Sequence, residues 1–231
     1  MTHLVWDWNG TLLDDLALVV AATNASLTSA GGAPTTAEEH RRDFRRPVVD
    51  YYAQTLGRTL TGEDFARLDE VFHRAYAQGM GDCALAADAL SALGSWRGSQ
   101  SLLSMWFHTE LVPAVERYGL SGYFNRVDGL REARGGGYKA PHLAAHLAAL
   151  GLAGSDCVLI GDSLDDAEAA ASVGAGCVLY AGGFTDLARL NAVGVPVAAT
   201  LTEAVALATG APAGTVVLTQ AAGGTLLSDA C

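Results

Sequence analysis

Short apolar segments recur along this chain, and stretches with helical periodicity separate them. The apolar segments occupy residues 3–6, 101–105, 157–160, 177–180 and 195–199. Apolar runs of this length are typical of strands that are buried on both faces. Strands that alternate with helices predict an α/β fold, in which a Rossmann-like parallel sheet carries helices on both faces.

Two of the helical patterns are well marked. In the first, Leu143, Leu147 and Leu150 share one face. The second begins at Thr185, which is placed to cap it, and ends at Gly194. Both patterns lie between predicted strands, as crossover helices of a parallel sheet must.

The alternation breaks between residues 16 and 81, where four helical patterns follow one another without an apolar strand segment. We expect helices over about 16–27, 36–45 and 48–57, and a longer one after Thr61. An all-helical insertion directly after the first strand predicts a cap domain. The chain then divides into an α/β core of residues 1–15 and 82–231 and a helical cap of residues 16–81. Within the core, residues 211–231 form either a loosely attached tail or, over 215–219, an edge strand.

Charge and cysteine content narrow the class of partner. The formal net charge of −11 argues against nucleic acid and anionic membranes. No signal peptide pattern is visible, and the apolar run over residues 16–22 is too short to span a bilayer. None of the four cysteines forms a CxxC pair, so free thiols in a reducing cytoplasm are expected. These features predict a cytoplasmic protein that acts on a small molecule and leave its oligomeric state open.

Polar residues follow the predicted strands at the edge where an open parallel sheet binds its ligands. The chain reads DWNGT after the first strand and GDSLDD after the strand over 157–160. The chemically distinctive residues are Asp7, Asn9, Thr11, Ser104, Lys139, Asp162 and Asp166. A carboxylate such as Asp7 can attack phosphorus, and several carboxylates together suit a hard divalent cation such as Mg²⁺.

These stretches, in this order, resemble the motifs of the haloacid dehalogenase superfamily. The helical insertion resembles that of the branch that includes phosphoglycolate phosphatase-like enzymes. The resemblance implies Mg²⁺-dependent hydrolysis of a small phosphorylated metabolite, a phosphate monoester, through a phospho-aspartate intermediate at Asp7.

The resemblance also implies roles for the other residues. Asp7, Asp162 and the backbone carbonyl of Asn9 would bind the metal, and Asp166 would hold a water of the metal. The groups that would bind the phosphoryl oxygens are Thr11, Ser104, Lys139 and the amides of the first loop.

Asn9 departs from the family pattern, which usually has aspartate at this position as acid and base. An amide has no titratable proton near neutral pH, so the acid–base step is in doubt while the nucleophile is unaffected. Three explanations remain open. The leaving group needs no acid, as in acyl or aryl phosphates; another group serves, from the cap, from Asp14 or Asp15, or from the substrate; or the protein is a slow enzyme or a phospholigand-binding relative.

The stretch HRRDFRRP adds four arginines to the predicted cap of this acidic chain. They form either a solvated helix face or a substrate-binding group in which Arg45 or Arg46 contacts a carboxylate or a second phosphate.

Three smaller predictions concern neighbouring residues. Asp165 is expected to be the solvated member of the Asp165–Asp166 pair. His142 and His146 are expected on a solvated helix face. Trp8 and Trp106 flank the predicted site, and either could line its entrance.

Other reactions of the superfamily fit less well. Dehalogenation proceeds without a metal, and the GDSLDD carboxylates would then repel Asp7 without a cation between them. Phosphonate cleavage uses a lysine from the cap, and residues 16–81 contain no lysine. A phosphotransferase, which needs an acceptor other than water, remains an alternative.

Overall fold

The computed structural model describes residues 2–131 and 137–210. Within them, six strands form a parallel sheet in the order β5-β4-β1-β6-β7-β8, and two form a small antiparallel pair, β2-β3. The strands are β1 His3–Trp6, β2 Leu13–Asp14, β3 Ala84–Leu85, β4 Gln100–Phe107, β5 Val127–Leu130, β6 Cys157–Gly161, β7 Gly176–Tyr180 and β8 Val197–Ala198. The α/β fold class is therefore confirmed.

Helices connect the strands and cover both faces of the sheet. They are α1 Leu16–Ser29, α2 Ala37–Asp43, α3 Val48–Leu56, α4 Gly62–Gly79, α5 Ala89–Ser95, α6 His108–Arg117, α7 Ala140–Leu150, α8 Leu164–Ser172, α9 Leu187–Ala192 and α10 Leu201–Thr209. In β1, Leu4 and Trp6 belong to the core on one face, and Val5 belongs to the core on the other. This alternation on a strand that is buried throughout explains why its sequence is continuously apolar.

Helices α1–α4 form a continuous helical insertion between β2 and β3, which we call the helical insertion (residues 16–79). It has a small core of its own that includes Leu27, Tyr51, Tyr52 and Leu68. Its ends meet because β2 and β3 pair with each other. The all-helical nature of this segment was predicted from the missing strand signal.

Several predicted boundaries shift. Helix α2 ends at Asp43, so Arg45 and Arg46 lie in the connection to α3 and not on the helix. Asp186, not Thr185, caps α9: its side chain accepts a hydrogen bond from the backbone of Arg189.

The sequence did not predict strand β5, because its sequence VDGL contains an aspartate and a glycine. The predicted tail and edge strand over 211–231 lie outside the described residues.

His146 does not lie on a solvated helix face, contrary to the prediction. It is buried beneath the sheet, where Nδ1 contacts Asp128 at 2.7 Å and Nε2 contacts Ser101 at 2.8 Å. The same Ser101 hydroxyl contacts His3 Nε2 at 2.8 Å, and His3 Nδ1 contacts Ser99 at 2.8 Å. These partners satisfy polar atoms that could not otherwise be buried at low cost.

In the parts of the chain that the structure describes, no helix is both long enough and apolar enough to cross a membrane.

The buried histidines make stability depend on pH. Burial, together with neighbouring His146, lowers the pKa of His3 from 6.5 to about 4. The unfolded chain therefore binds more protons than the folded chain between these values, and the free energy of unfolding falls as the pH drops from 6.5 toward 4. We expect His3→Gln, which has no titrating imidazole, to weaken this dependence. Urea unfolding at pH 7 and pH 5 measures it.

The control is His142→Gln, on the same helix as His146 but only partly buried. This variant should keep the pH dependence of the parent chain. An unchanged pH dependence in His3→Gln would contradict the assignment.

Candidate active site

Two carboxylates meet at the edge of the sheet because the strands that precede them are neighbours. Asp7 follows β1 and Asp162 follows β6, and these strands pair in parallel. The backbone N–H of Asp7 donates to Ile160 O at 2.9 Å, which extends the ladder by one residue and holds Asp7 in place. Both side chains are buried at the carboxyl ends of their strands, where such sheets bind ligands.

Lys139, the only lysine in the chain, lies fully inside this site. Its Nζ is 2.8 Å from Asp7 Oδ2 and also pairs with Asp166 Oδ1. Burial disfavours the charged amine, but Asp166 and Asp7 outweigh it and raise the pKa of Lys139 above its usual value. The lysine is thus a permanent cation beside Asp7.

Asp166 is bonded through both of its oxygens. Oδ1 faces Lys139, and Oδ2 accepts hydrogen bonds from the backbone and hydroxyl of Ser163 and from the backbone of Asp162. The Ser163 contacts form a capping box at the start of α8. Burial raises the pKa of Asp166, but Lys139 and these donors outweigh burial and lower it. Asp166 therefore stays ionised.

Among the residues that the structure describes, no cation forms an ion pair with Asp162. Oδ2 accepts from the backbone of Phe184 at 2.6 Å, and Oδ1 accepts from the Thr11 hydroxyl at 3.0 Å. Burial and the nearby charges of Asp7 and Asp166 raise the pKa of Asp162 well above its ordinary value. Burial also raises the pKa of Asp7, to about 6, although Lys139 opposes this. The three carboxylates offer oxygens that lie within 4.8 Å of one another.

Glycines leave room for Asp162. Gly10 has a φ of +70°, and a Cβ there would lie 2.6 Å from Asp162 Oδ2. At Gly183, a Cβ would lie 2.2 Å from the same atom. A side chain at either position would displace the carboxylate.

The side chain of Asn9 is held by the buried carboxylate of Asp15. The sequence predicts Asp15 only as one group that could replace the acid missing at position 9. Asn9 Nδ2 donates to Asp15 Oδ2 and to Tyr76 Oη, each at 2.8 Å. Tyr76, on α4 of the helical insertion, donates to Asp15 at 2.7 Å, and the backbone of Gly10 donates at 2.8 Å. Because a carboxylate can only accept, the amide of Asn9 must turn its NH₂ group toward Asp15. Its Oδ1 accepts from Ser104 at 3.2 Å.

The two hydroxyls that were predicted to bind phosphate form hydrogen bonds with protein groups instead. Thr11 is fully buried and bonds Asp162, and Ser104 bonds Asn9 and accepts from the backbone of Trp106. In this arrangement they orient Asp162 and Asn9, a role that the resemblance did not assign to them.

The two arginines that were predicted to bind substrate, Arg45 and Arg46, lie in different surroundings. Arg46 Nε lies 3.4 Å from Asp165 Oδ2, and Arg46 lines the cavity that contains Asp7 and Asp162. Arg45 is exposed, donates to the backbone of Asp43 and does not line that cavity. The prediction that Asp165 is solvated is wrong: it is buried and accepts from the backbone of Lys139 at 3.0 Å.

Local sequence did not indicate every residue of the site. Phe184 and Met105 line the cavity, and Tyr76 of the helical insertion accepts a hydrogen bond from Asn9, which also lines it. Each lies far along the chain from Asp7, so only folding brings them together. Trp8 is buried in the core, whereas Trp106 lines the adjoining aromatic cavity.

The contact of Asn9 with Asp15 predicts how stability changes when the amide and the carboxylate of these two residues are exchanged. Asn9→Asp alone would place two buried carboxylates side by side, and we expect a loss of about 2 kcal/mol in unfolding free energy at pH 7.5. The loss should shrink at pH 5, where one carboxyl takes a proton. Adding Asp15→Asn restores a donor and an acceptor and should return most of the stability. Urea unfolding measures all three chains, and a double variant no more stable than the single one would contradict the prediction.

Solved structures with this architecture come from several bacteria. A predicted phosphatase from Clostridium acetobutylicum has a TM-score of 0.77 and 16% identity, covering 88% of this chain and 96% of that chain. A hydrolase from Pseudomonas syringae has a TM-score of 0.73 and 20% identity, covering 87% and 94%. A predicted phosphoglycolate phosphatase from Haemophilus somnus has a TM-score of 0.68 and 16% identity, covering 87% and 95%. At these identities the likeness concerns the fold.

No curated protein sequence matches this chain. The model of the haloacid dehalogenase-like hydrolases matches residues 1–174, which include Asp7, Lys139, Asp162 and Asp166. With that match over most of its length, the chain belongs to the haloacid dehalogenase-like hydrolase family.

Proposed function

We propose that this hydrolase is a Mg²⁺-dependent phosphatase that acts on a small phosphate monoester and forms a phospho-aspartate intermediate at Asp7. The observation that carries the proposal is the buried group of Asp7, Asp162 and Asp166 around Lys139. A single cation faces three carboxylates there. Phosphate hydrolysis through a carboxylate nucleophile needs this kind of charged, water-poor site.

The charges and donors fit Mg²⁺. Three ionised carboxylates and one ammonium leave an excess of two negative charges, which one divalent cation balances. Asp166 already uses both oxygens, so Asp7, Asp162 and the backbone carbonyl of Asn9 are the ligands we propose, with Asp166 outside them. When bound, Mg²⁺ would offset the charge of the phosphoryl group as it approaches Asp7.

Asp7 is placed to attack. Its Oδ1 accepts from the backbone of Trp8 at 2.7 Å and its Oδ2 faces Lys139, so the carboxylate has a fixed orientation. An oxygen of Asp7 forms a bond to phosphorus while the bond from phosphorus to the leaving oxygen breaks. Water then attacks the acyl phosphate, which releases phosphate and restores Asp7. Lys139 offsets negative charge through both steps.

The leaving oxygen must be released without acid from residue 9. The NH₂ group of Asn9 is engaged by Asp15 and Tyr76, and its oxygen accepts from Ser104. General acid–base catalysis contributes roughly 10²–10⁴-fold, so turnover of an ordinary alkyl phosphate should be slow. The same observation favours the second candidate, a catalytically weak phospholigand-binding or regulatory protein on this fold.

We also propose that residues 16–81 act as a cap domain over a core of residues 1–15 and 82–231. The pairing of β2 with β3 provides two closely spaced connections, and Arg46 and Tyr76 contact the core. Of the two arginines predicted to bind substrate, Arg46 faces the cavity; a role for Arg45 would require the cap to move.

The first test is phosphate release from acetyl phosphate and p-nitrophenyl phosphate in the presence of Mg²⁺. Asp7→Asn removes the nucleophile, so we expect at least about 10³-fold lower kcat/KM. Mass spectrometry of acid-quenched enzyme should detect a phosphoryl group on Asp7 in the parent chain.

The matched control is Asp156→Asn, an exposed carboxylate before β6. This control should keep full activity. Equal activity of the parent chain and Asp7→Asn would rule out the phospho-aspartate route. Binding of vanadate with no release from any substrate would favour the phospholigand-binding alternative.

A further inference from the structure

The cavity that contains Asp7 adjoins a larger one between the helical insertion and the core. We call the larger one the aromatic pocket; its volume is about 120 Å³. Its aromatic wall includes Phe44, Tyr51, Phe72, Tyr76, Trp106 and Phe184. The helical insertion supplies four of these six rings, and the core supplies Trp106 and Phe184. Apolar side chains therefore dominate the space next to the reacting phosphate.

The two cavities adjoin each other. Asn9, Phe44, Arg46, Met105 and Phe184 line both of them. A phosphate placed at Asp7 and Lys139 would direct its leaving group past Asn9 into the aromatic pocket. The pocket is thus in position to recognise the part of the substrate that is released.

Charges on the wall of the pocket are already paired. Arg46 lies 3.4 Å from Asp165, and Asp69 lies 3.3 Å from His73 Nε2. Among the described residues of the wall, the guanidinium of Arg46 already pairs with Asp165, so a carboxylate or a second phosphate on the substrate would compete with that carboxylate. A small acidic leaving group such as glycolate would lose hydration there and gain only a cation that is already shared.

Two nitrogens on the wall are buried without a hydrogen-bond partner in the described part of the chain. They are Trp106 Nε1 and His40 Nε2. Burial, together with the charge of Arg41, lowers the pKa of His40 to about 4, so its ring is neutral near pH 7. The indole N–H can only donate. Because buried polar groups are normally paired, a ligand with a hydrogen-bond acceptor would supply the kind of partner that these atoms lack.

The volume limits the size of the ligand. An apolar cavity of about 150 Å³ is known to hold a benzene molecule. The aromatic pocket is slightly smaller, so it suits one ring and not two. Flat rings also pack well against aromatic walls, edge to face or offset.

On the basis of the function proposed above, we propose that the substrate is an aryl phosphate with a single ring that bears a hydrogen-bond acceptor. Asp7 forms the bond to phosphorus, the bond from phosphorus to the aryl oxygen breaks, and the phenolate leaves with the electron pair and takes a proton from water. A phenol has a pKa of about 10, as in tyrosine, whereas water and simple alcohols lie near 16. A phenolate therefore leaves without help from an acid, which fits the amide at Asn9.

Kinetics and inhibition test the proposal together. Substrates are phenyl phosphate, 4-methoxyphenyl phosphate, n-butyl phosphate, 2-phosphoglycolate and acetyl phosphate, all with Mg²⁺. We expect the aryl phosphates to exceed n-butyl phosphate and 2-phosphoglycolate by at least about 100-fold in kcat/KM. Benzylphosphonate, which cannot be hydrolysed, should inhibit at least about tenfold more strongly than phosphonoacetate. This comparison separates recognition of the ring from leaving-group reactivity.

A matched pair of variants tests whether the ring of the substrate binds in the aromatic pocket. Val48 lines the aromatic pocket, and Val49, next to it on α3, does not. Val48→Phe should fill the pocket and lower the ratio of kcat/KM for phenyl phosphate to that for acetyl phosphate about tenfold. Val49→Phe should leave this ratio unchanged.

The outcomes distinguish this inference from the function on which it rests. Turnover that depends on Asp7 but shows no aryl preference, or equal inhibition by the two phosphonates, would overturn the aryl phosphate and leave the phosphatase. A lowered ratio in both phenylalanine variants would overturn the assignment of the pocket. No turnover of any of the five substrates would overturn both proposals.

Discussion

The buried contacts of Lys139 with Asp7 and Asp166 connect three separate parts of this chain. Asp7 follows β1, Lys139 precedes α7, and Asp166 lies in the first turn of α8. Burying these charges is unfavourable unless each has a partner, so the three segments must meet at this point for the fold to form. The same contacts leave Asp162 without an ion pair among the described residues, and this imbalance supports the divalent cation that we propose there.

A second polar group, without a cation, joins the helical insertion to the core. Asp15 accepts from Asn9, Gly10 and Tyr76, and burial raises its pKa to about 6 against these donors. Arg46 adds a contact from the insertion to Asp165. Phe44 and Arg46 of the insertion also line the cavity around Asp7. In the proposed cap arrangement, exclusion of water there would strengthen the electrostatic effect of Lys139 on a bound phosphate.

The amide at position 9 and the aromatic pocket point to the same chemistry. In the proposed reaction, Asn9 would offer no proton to the leaving group, and the pocket would favour a ring whose oxygen needs none. Within the family, small-acid substrates are implied by the names of some neighbours, but those proteins share only the fold with this chain at 16–20% identity. Residues that line the pocket, more than the architecture, decide what is hydrolysed.

The sequence by itself determined the α/β class, the helical insertion and the residues at the strand ends. Each depends on a local signal: apolar runs, helical periodicity, or a carboxylate directly after a strand. Only the tertiary structure decided which partners those residues have. Asp165 and His146 are buried by contacts with Lys139, Asp128 and Ser101, which lie 18 to 45 positions away. Likewise, Thr11 and Ser104 bond protein groups, and Tyr76 meets Asn9 across 67 positions. Burial and pairing arise from packing between distant segments, and local sequence patterns do not contain that information.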